Sequence, residues 1–362
     1  MNQGISLCMI IKNEENILED CLNLIKDLAD EIIIVDTGST DKSKEIARRF
    51  TDKVFDFKWD NNFSDARNFA ISKATQKWIL SFDADEKIAE KDKQKIRNLI
   101  SQNEADAYLF NWRDYTNDSR TEGWATSQGD EYEESKIATG FGVDKVLRFF
   151  KNKKEYFFEG IIHETPHASI EENKGRVLDT DIIMHHFGSL NKEKFLDKKK
   201  MYSDLLKERL NKKDFSEKTE DYICYELAKE LTNLEKNQEA IYYLERAIEI
   251  NERLEYLHAL GSLYLLENDL EKAERIFKKI APLEPKDPHV HHNLGVIYAK
   301  KNDYNKAIRK FEKAIKLNPN FAIAHFNLGL VYRNKSKKQR MNECFEKAIN
   351  LNPEYKKKIS SN

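Results

Sequence analysis

The chain is poor in the features that mark secreted or membrane proteins. Its 362 residues include only four cysteines, at positions 8, 21, 224 and 344. None has the close spacing of a zinc site or a disulfide framework, which suits a reducing, cytoplasmic setting. No run of about eighteen apolar residues occurs, so no transmembrane helix is expected. The N-terminal stretch MNQGISLCMIIKNEE lacks the basic start and long apolar core of a signal peptide. An excess of one charge is lacking too. The 61 Lys and Arg against 63 Asp and Glu leave a formal net charge of -2. That balance gives no reason to expect nucleic acid or an acidic membrane as the main partner.

What is present reads as two halves, as the length suggests. Residues 5–11 (ISLCMII) are an almost continuous apolar run, as in a strand buried on both faces. The spacing of Ile17, Leu18, Cys21, Leu22, Leu24, Ile25 and Leu28 predicts a helix over 16–28. A second buried strand, 31–35 (EIIIV), ends in Asp36-Thr37-Gly38-Ser39-Thr40-Asp41. Gly38 permits a tight turn there, and Ser39, Thr40 or Asp41 can cap a helix over 43–50. A third strand is expected over 51–57, a short helix over 66–74 and a fourth strand over 78–82 (WILSF). This β-α-β-α-β order predicts a parallel, doubly wound sheet with right-handed crossovers.

Asp83 and Asp85 follow the fourth strand at once. Ligands of open α/β sheets bind just beyond the carboxyl ends of the strands. Two acids one residue apart can hold a hard divalent cation, and through it a diphosphate; an ordinary acidic turn has the same composition. Polar clusters at three strand ends, 12–15, 36–40 and 83–86, favour a nucleotide cleft. Further strands are expected over 107–111 and 145–150. Residues 112–142, rich in Gly, Ser, Thr, Asp and Glu, read as a long acceptor-side loop. A strand over 177–184 ends in His185-His186-Phe187-Gly188. If it continues, neighbouring side chains point to opposite faces, so one histidine of the pair can face the cleft.

The motifs SLCMIIKNEE, IIIVDTGSTD, FSDARNFA and ILSFDADE, in that order, resemble the family 2 glycosyltransferases of the GT-A fold. These are inverting enzymes that use nucleotide-diphosphate sugars. The resemblance implies a Rossmann-like α/β domain with a mostly parallel sheet. It implies that Asp36 binds the base and that Arg67 lies near the base or diphosphate, or else pairs with Asp65 on the helix surface. Lys12 and Glu14 are assigned to the same nucleotide side. Asp83 would contact the ribose or the metal, and Asp85 would ligate the metal directly. Residues 156–164 (YFFEGIIHE) are similar to a segment of bacterial relatives with an IHE pattern. Inverting transfer needs a base to deprotonate the acceptor; Glu164 is the candidate and Glu159 its rival. Resemblance to sequences with a histidine-aromatic-glycine ending selects His186 as a metal ligand, and an imidazole favours Mn2+ over Mg2+.

From about residue 221 strand signals stop. Gly261, Gly295 and Gly329 are spaced by 34, and so are Tyr264, Tyr298 and Tyr332, Phe277, Phe311 and Phe345, and Pro285, Pro319 and Pro353. This in-phase pattern resembles tetratricopeptide repeats, about four of them, forming an all-α solenoid. Residues 221–253 read as a degenerate first repeat with Ala228 in the glycine position. The expected domains are 1–190 (transferase), 191–220 (helical linker), 221–355 (repeats) and 356–362 (a Lys-rich tail). Such arrays bind extended peptides or self-associate.

Together these features predict a metal-dependent inverting transferase moving a sugar, from a UDP-sugar donor, to Ser, Thr or Cys of a peptide or protein. The array would hold the acceptor or pair two subunits as a homodimer. Bacteriocin S- or O-glycosyltransferases and flagellin glycosyltransferases resemble this layout. The alternative acceptor is a lipopolysaccharide core or other envelope glycan. An inactive transferase serving as a scaffold is disfavoured, because Asp36, Asp83 and Asp85 are all present.

Overall fold

The computed structural model describes residues 4–118, 123–160, 162–213, 215 and 219–360. Ile161 of the YFFEGIIHE stretch, parts of the expected linker and the last two residues of the expected tail lie outside them. The chain divides into two units, Met1–Lys198 and Lys199–Asn362.

The first unit opens with β1 (Ile5–Ile11), α1 (Leu18–Ile25), β2 (Glu31–Asp36), α2 (Ser43–Ala47), β3 (Val54–Asp56), α3 (Phe63–Ile71) and β4 (Trp78–Ser81). The strands lie side by side in the order β3-β2-β1-β4, every pair parallel. This half follows the expected doubly wound pattern. Apolar residues on both faces of β1 explain it. Ile5, Leu7, Met9 and Ile11 enter one core with Trp78 and Leu80. Cys8 enters the other with Ile33, Val35 and Ile79.

The second half of the sheet corrects the mostly parallel expectation. It contains β5 (Glu86–Ile88), β6 (Ala107–Thr116), β7 (Ala125–Thr126), β8 (Gly140–Lys151) and β9 (Val177–His186), with α4 (Glu90–Gln102) and α5 (His167–Glu172) between strands. The order runs on as β4-β8-β6-β9-β5, with β7 beside β8. Only β6–β9 is parallel there; β4–β8, β6–β8, β5–β9 and β7–β8 are antiparallel. The sheet is therefore mixed. Antiparallel neighbours need no helical crossover, so this part carries no βαβ rhythm to read. The expected 112–142 loop is also shorter. Residues 112–116 extend β6 and 140–142 begin β8, paired from Trp112↔Asp144 to Thr116↔Gly140. The WRDYT stretch hid its strand because it has no aliphatic residue, most of it is half-buried, and Arg113 and Asp114 stand side by side, which breaks the alternation that marks a strand.

The second unit holds most of α6 (Lys192–Lys212) and four helix pairs: α7 (Glu220–Asn233) with α8 (Asn237–Ile250), α9 (Leu254–Leu266) with α10 (Leu270–Ile280), α11 (Pro288–Lys300) with α12 (Tyr304–Leu317), and α13 (Ala322–Asn334) with α14 (Lys338–Leu351). A Cβ on Gly261, Gly295 or Gly329 would come within 3.0, 2.7 and 2.5 Å of Phe277, Phe311 and Phe345 on the paired helix. Glycine therefore sets how closely the helices approach. Pro285, Pro319 and Pro353 fall in the connections after the second helices, where proline cannot continue a helix. The Lys-rich end is helical, α15 (Tyr355–Ser360), rather than a bare tail. Tyr355 is buried there, its ring 4.7 Å from that of Phe326.

Candidate active site

Two of the three strand-end clusters are laced together by their own polar groups. The Asn13 amide donates to Ser39 Oγ, the Thr40 amide to Asn13 Oδ1, and the Glu14 amide to Ser43 Oγ. The Glu15 amide donates to Asp41 Oδ2, and the Lys42 amide to Glu15 Oε2. Asp36 is buried at the end of β2 and accepts from the Ser39 amide at 3.0 Å, closing the turn around Gly38 (φ +106°). Much of the polarity of KNEE and DTGSTD thus builds the rim itself. Lys12 is exposed, and Glu14 is half-buried with Lys194 Nζ 3.2 Å from its carboxylate. Burial raises the Glu14 carboxyl, and the nearby Asp85 charge adds to this against the pull of Lys194.

The third cluster is organised by α3. Asn62 caps this helix by accepting from the Ser64 amide. Ser64, Arg67 and Asn68 then fall on one face, as three- and four-residue spacings require. Asn68 Nδ2 donates to the Phe158 carbonyl, its Oδ1 accepts from the Phe158 amide, and Ser64 Oγ donates to the Gly160 carbonyl. These bonds clamp a tight hairpin closed by backbone pairing of Glu159 with Thr165. Gly160, at φ +102°, turns it. The hairpin delivers Glu164 to Arg67. Arg67 is 5% exposed, and its three nitrogens are all engaged: Nε with Glu164 Oε1 at 2.6 Å, Nη1 with Ser81 Oγ at 3.1 Å, and Nη2 with Asp83 Oδ2 at 2.8 Å. A surface pair with Asp65 is not what forms; Asp65 accepts from Asn62 instead.

Asp83 carries a second guanidinium, Arg148 Nη2, at 3.1 Å on the same oxygen. Burial alone would push the Asp83 carboxyl up; the two arginines outweigh it and hold it far below the usual carboxylate range. Glu86 lies beneath, fully buried, accepting from the Asp83 amide at 2.9 Å with Arg148 Nη2 3.5 Å away. Burial, reinforced by Asp83 and Asp85, raises the Glu86 carboxyl to about 7 despite the arginine. Arg148 Nε and Nη1 are buried and find no partner among the described residues.

Asp85 faces a different neighbour. The end of β9 lies between β6 and β5, so His186 pairs with Asp114 on one side and Glu86 on the other. His186 Nε2 lies 3.3 Å from Asp85 Oδ2, its Nδ1 is 2.7 Å from Asp114 Oδ1, and the Trp112 ring stacks on it at 4.5 Å. Strand alternation separates the pair of histidines as expected. His185 is fully buried on the other face, bonded to Tyr115 at 2.7 Å. Burial should lower the His186 ring, yet Asp85 and Asp114 raise it to about 10. The field at this point favours a cation.

The residues present therefore fit a divalent metal. An imidazole whose far nitrogen is fixed by a carboxylate is the usual arrangement of a metal-ligating histidine. Asp85 supplies the hard oxygen beside it. Gly188 leaves the space open: a Cβ there would lie 2.5 Å from Asp85 Oδ2 and 2.8 Å from His186 Nε2. Asp85 and His186 are the pair that could hold the ion. Asp83 is committed to two arginines. Of the expected residues, the structure gathers Arg67, Asp83, Asp85, Glu164 and His186, with Glu14 close enough for its charge to be felt. Asp114 and Arg148 escaped the sequence reading, and Glu86 entered it only as the last member of the 83–86 cluster. A lone arginine inside the apolar run KVLRFF was a signal for Arg148. Asp114 sat in a segment read as loop and gave none.

Residues 6–174 match the family description Glycosyl transferase family 2. Residues 234–294, 297–335 and 322–355 match tetratricopeptide repeat families. A TPR repeat-containing protein of Synechococcus elongatus is 42% identical over 104 residues, covering 29% of this chain and 26% of that protein. An uncharacterized glycosyltransferase of Rickettsia typhi is 28% identical over 204 residues, 55% of this chain and 65% of its own. The prophage-derived glycosyltransferase SunS of Bacillus subtilis is 27% identical over 264 residues, 71% of this chain and 57% of its own. The chain thus spans about a quarter of the first relative and less than two thirds of the other two. No helix among the described residues is long and apolar enough to cross a membrane.

Proposed function

The first unit carries a domain of glycosyl transferase family 2, followed by tetratricopeptide repeats, and from that premise we propose that the protein transfers a sugar, with inversion, from a nucleotide-diphosphate sugar to a side chain of a peptide or protein. The observation that carries the reading is the juxtaposition of Asp85, His186 and the side-chain-free Gly188 with the Glu164–Arg67–Asp83 chain. Asp85 and His186 would hold a divalent cation, Mn2+ for preference, which would neutralise the charge of the departing diphosphate. Arg67 fixes Glu164 through Oε1 and so orients the carboxylate. Oε2 is the oxygen assigned to the acceptor proton. The acceptor oxygen or sulfur attacks the anomeric carbon, the bond from that carbon to the diphosphate oxygen breaks, the nucleoside diphosphate leaves with the electron pair, and the proton passes to Glu164. Asp36 and the rim around Lys12 and Glu14 are assigned to the nucleotide. Arg148, with two nitrogens unmet among the described residues beside Asp83, is the cation left for the donor's anionic side.

The peptide or protein acceptor, Ser, Thr or Cys, rests on the fused repeats, since such arrays bind extended chains, and on the likeness of this two-part layout to bacteriocin-type transferases. UDP is the expected nucleotide. Residues 1–190 are assigned to the transferase, 191–220 to the joining helix and 221–355 to the repeats.

The test is release of nucleotide from a panel of UDP- and GDP-sugars with Mn2+, with and without EDTA. EDTA-sensitive release from one donor is expected. No release, together with no UDP binding by calorimetry, overturns the reading. Asp85→Ala should reduce turnover by roughly a hundred- to a thousand-fold, and unchanged turnover would remove its role. Glu164→Gln should keep donor binding and lose transfer by roughly 10²- to 10⁴-fold; a normal rate would move the base to Glu159. Offering unmodified peptides beside envelope glycans then decides the acceptor, because SDARNFA and DADE also resemble core glucosyltransferases.

A further inference from the structure

We propose that the repeat array carries a divalent-metal site of its own, formed by His258, Glu284 and Asp287, for a cation of the zinc class. His258 stands on α9, and the two acids stand in the connection between α10 and α11. His258 Nε2 lies 2.5 Å from Glu284 Oε2 and 3.8 Å from Asp287 Oδ2, and one donor atom from each residue falls within 4.8 Å of the others. Donors around a tetrahedral zinc ion stand roughly 3.3 Å apart, given bond lengths of about 2.0–2.2 Å. The observed spacings bracket that figure, so small rotations of the two acids complete the set.

The acids are held in place before any ion arrives. The Asp287 amide donates to the Glu284 carbonyl at 3.2 Å, and the Glu284 amide to the Ile280 carbonyl at 3.0 Å, which fixes the turn. Asp287 caps α11 through Oδ1, which accepts from the His289 amide at 2.8 Å. That leaves Oδ2 directed to the imidazole. A neutral ring and two carboxylates sum to minus two, matching a divalent cation. One nitrogen and two oxygens suit zinc, and three protein ligands on a partly exposed site leave a fourth position for water.

The repeat pattern supplies a separate observation. Advancing 34 residues, the positions of His258 and Asp287 become His292 and Phe321, whose rings lie 5.3 Å apart. Another 34 residues on they become Phe326 and Tyr355, stacked at 4.7 Å. The position of Glu284 becomes Asn318 and then Asn352. At both later joints this place is an aromatic contact. Only the joint at His258 replaces it with an imidazole between two acids, so the cluster is not a general requirement of the stacking. Bound there, the ion ties the first helix of one repeat to the entry of the next.

The site stands or falls apart from the transferase reading, and the experiment keeps them apart. The full chain carrying Asp85→Ala, freed of metal, is titrated with zinc by calorimetry and equilibrium dialysis. One zinc per chain is expected, with a zinc-dependent rise in the melting temperature. His258→Gln or Glu284→Gln, added singly to that background, should each weaken this binding more than ten-fold and abolish the rise. Circular dichroism at the parental helix content qualifies each variant, and having two guards against one that does not fold. Absence of zinc binding in the Asp85→Ala chain, or binding that neither variant weakens, overturns the proposal.

Discussion

Each of the two units is stabilised internally by a different kind of contact. In the sheet unit the decisive contacts are among charges: Arg67 satisfies Glu164, Ser81 and Asp83 at once, and Arg148 shares Asp83. In the repeat unit the decisive contacts are among shapes: Gly295 admits the Phe311 ring, and Gly329 admits that of Phe345. Both units rely on places where a Cβ will not fit, but for unlike reasons. Gly188 keeps room beside two polar atoms, while the repeat glycines keep room for an aromatic ring. A site built on charge pairs is costly to keep and simple to break, because a buried charge without its partner is penalised more than a lost apolar contact.

The sharpest way to break this contrast is at Arg67. Arg67→Met should destabilise the sheet unit by about 3–5 kcal/mol, since it strands the Glu164 carboxylate and half-strands Asp83. Chemical unfolding should show an early transition for the sheet unit and an unmoved one for the repeats. A loss under about 1 kcal/mol would mean that the network is not what holds α3 to its hairpin.

The next lever is pH. Glu31, its side chain 5% exposed, has its carboxyl depressed to about 2. Burial works against this, but bonds from Lys53, Ser6 and Thr75 prevail. A depressed carboxyl stabilises above its unfolded value, near 4.3 to 4.5, and that stability disappears as pH falls through the folded value. About 2–3 kcal/mol should be lost between roughly pH 5 and pH 2. Glu31→Gln should lower stability at pH 7 and flatten this acid limb. An unchanged limb would assign acid sensitivity elsewhere.

The smallest effect is expected at Gly295. Adding a methyl group 2.7 Å from Phe311 should cost the array about 1–3 kcal/mol through overpacking, with donor binding untouched. Gly295→Ala melts of the repeat transition, read beside UDP calorimetry, would show it. A shift in UDP affinity would mean that the array's packing and donor binding are energetically coupled.

Legibility followed the same division. The repeats announced themselves because each structural demand recurs every 34 residues, so Gly261, Tyr264, Phe277 and Pro285 are echoed twice. The parallel half of the sheet was legible from apolar runs and helix spacing. In the other half the strand cores at 107–111, 145–150 and 177–184 were legible but not their full extent, since residues 112–116 carry adjacent polar groups and look like a loop. Asp114 went unseen for that reason, although the parallel register β6–β9 sets it beside His186.

What the sequence determined by itself was the inventory. It determined the doubly wound opening, the acids after β4, the alternation that sets His185 and His186 on opposite faces, and the helical array. Periodicity and burial are local properties, written in spacing. The tertiary structure alone decided the partnerships: Asp83 with two arginines, Asp85 with His186, Arg67 with Glu164 97 residues away. Electrostatic pairing depends on distance in space, and strand register, which no single stretch encodes, fixes that distance.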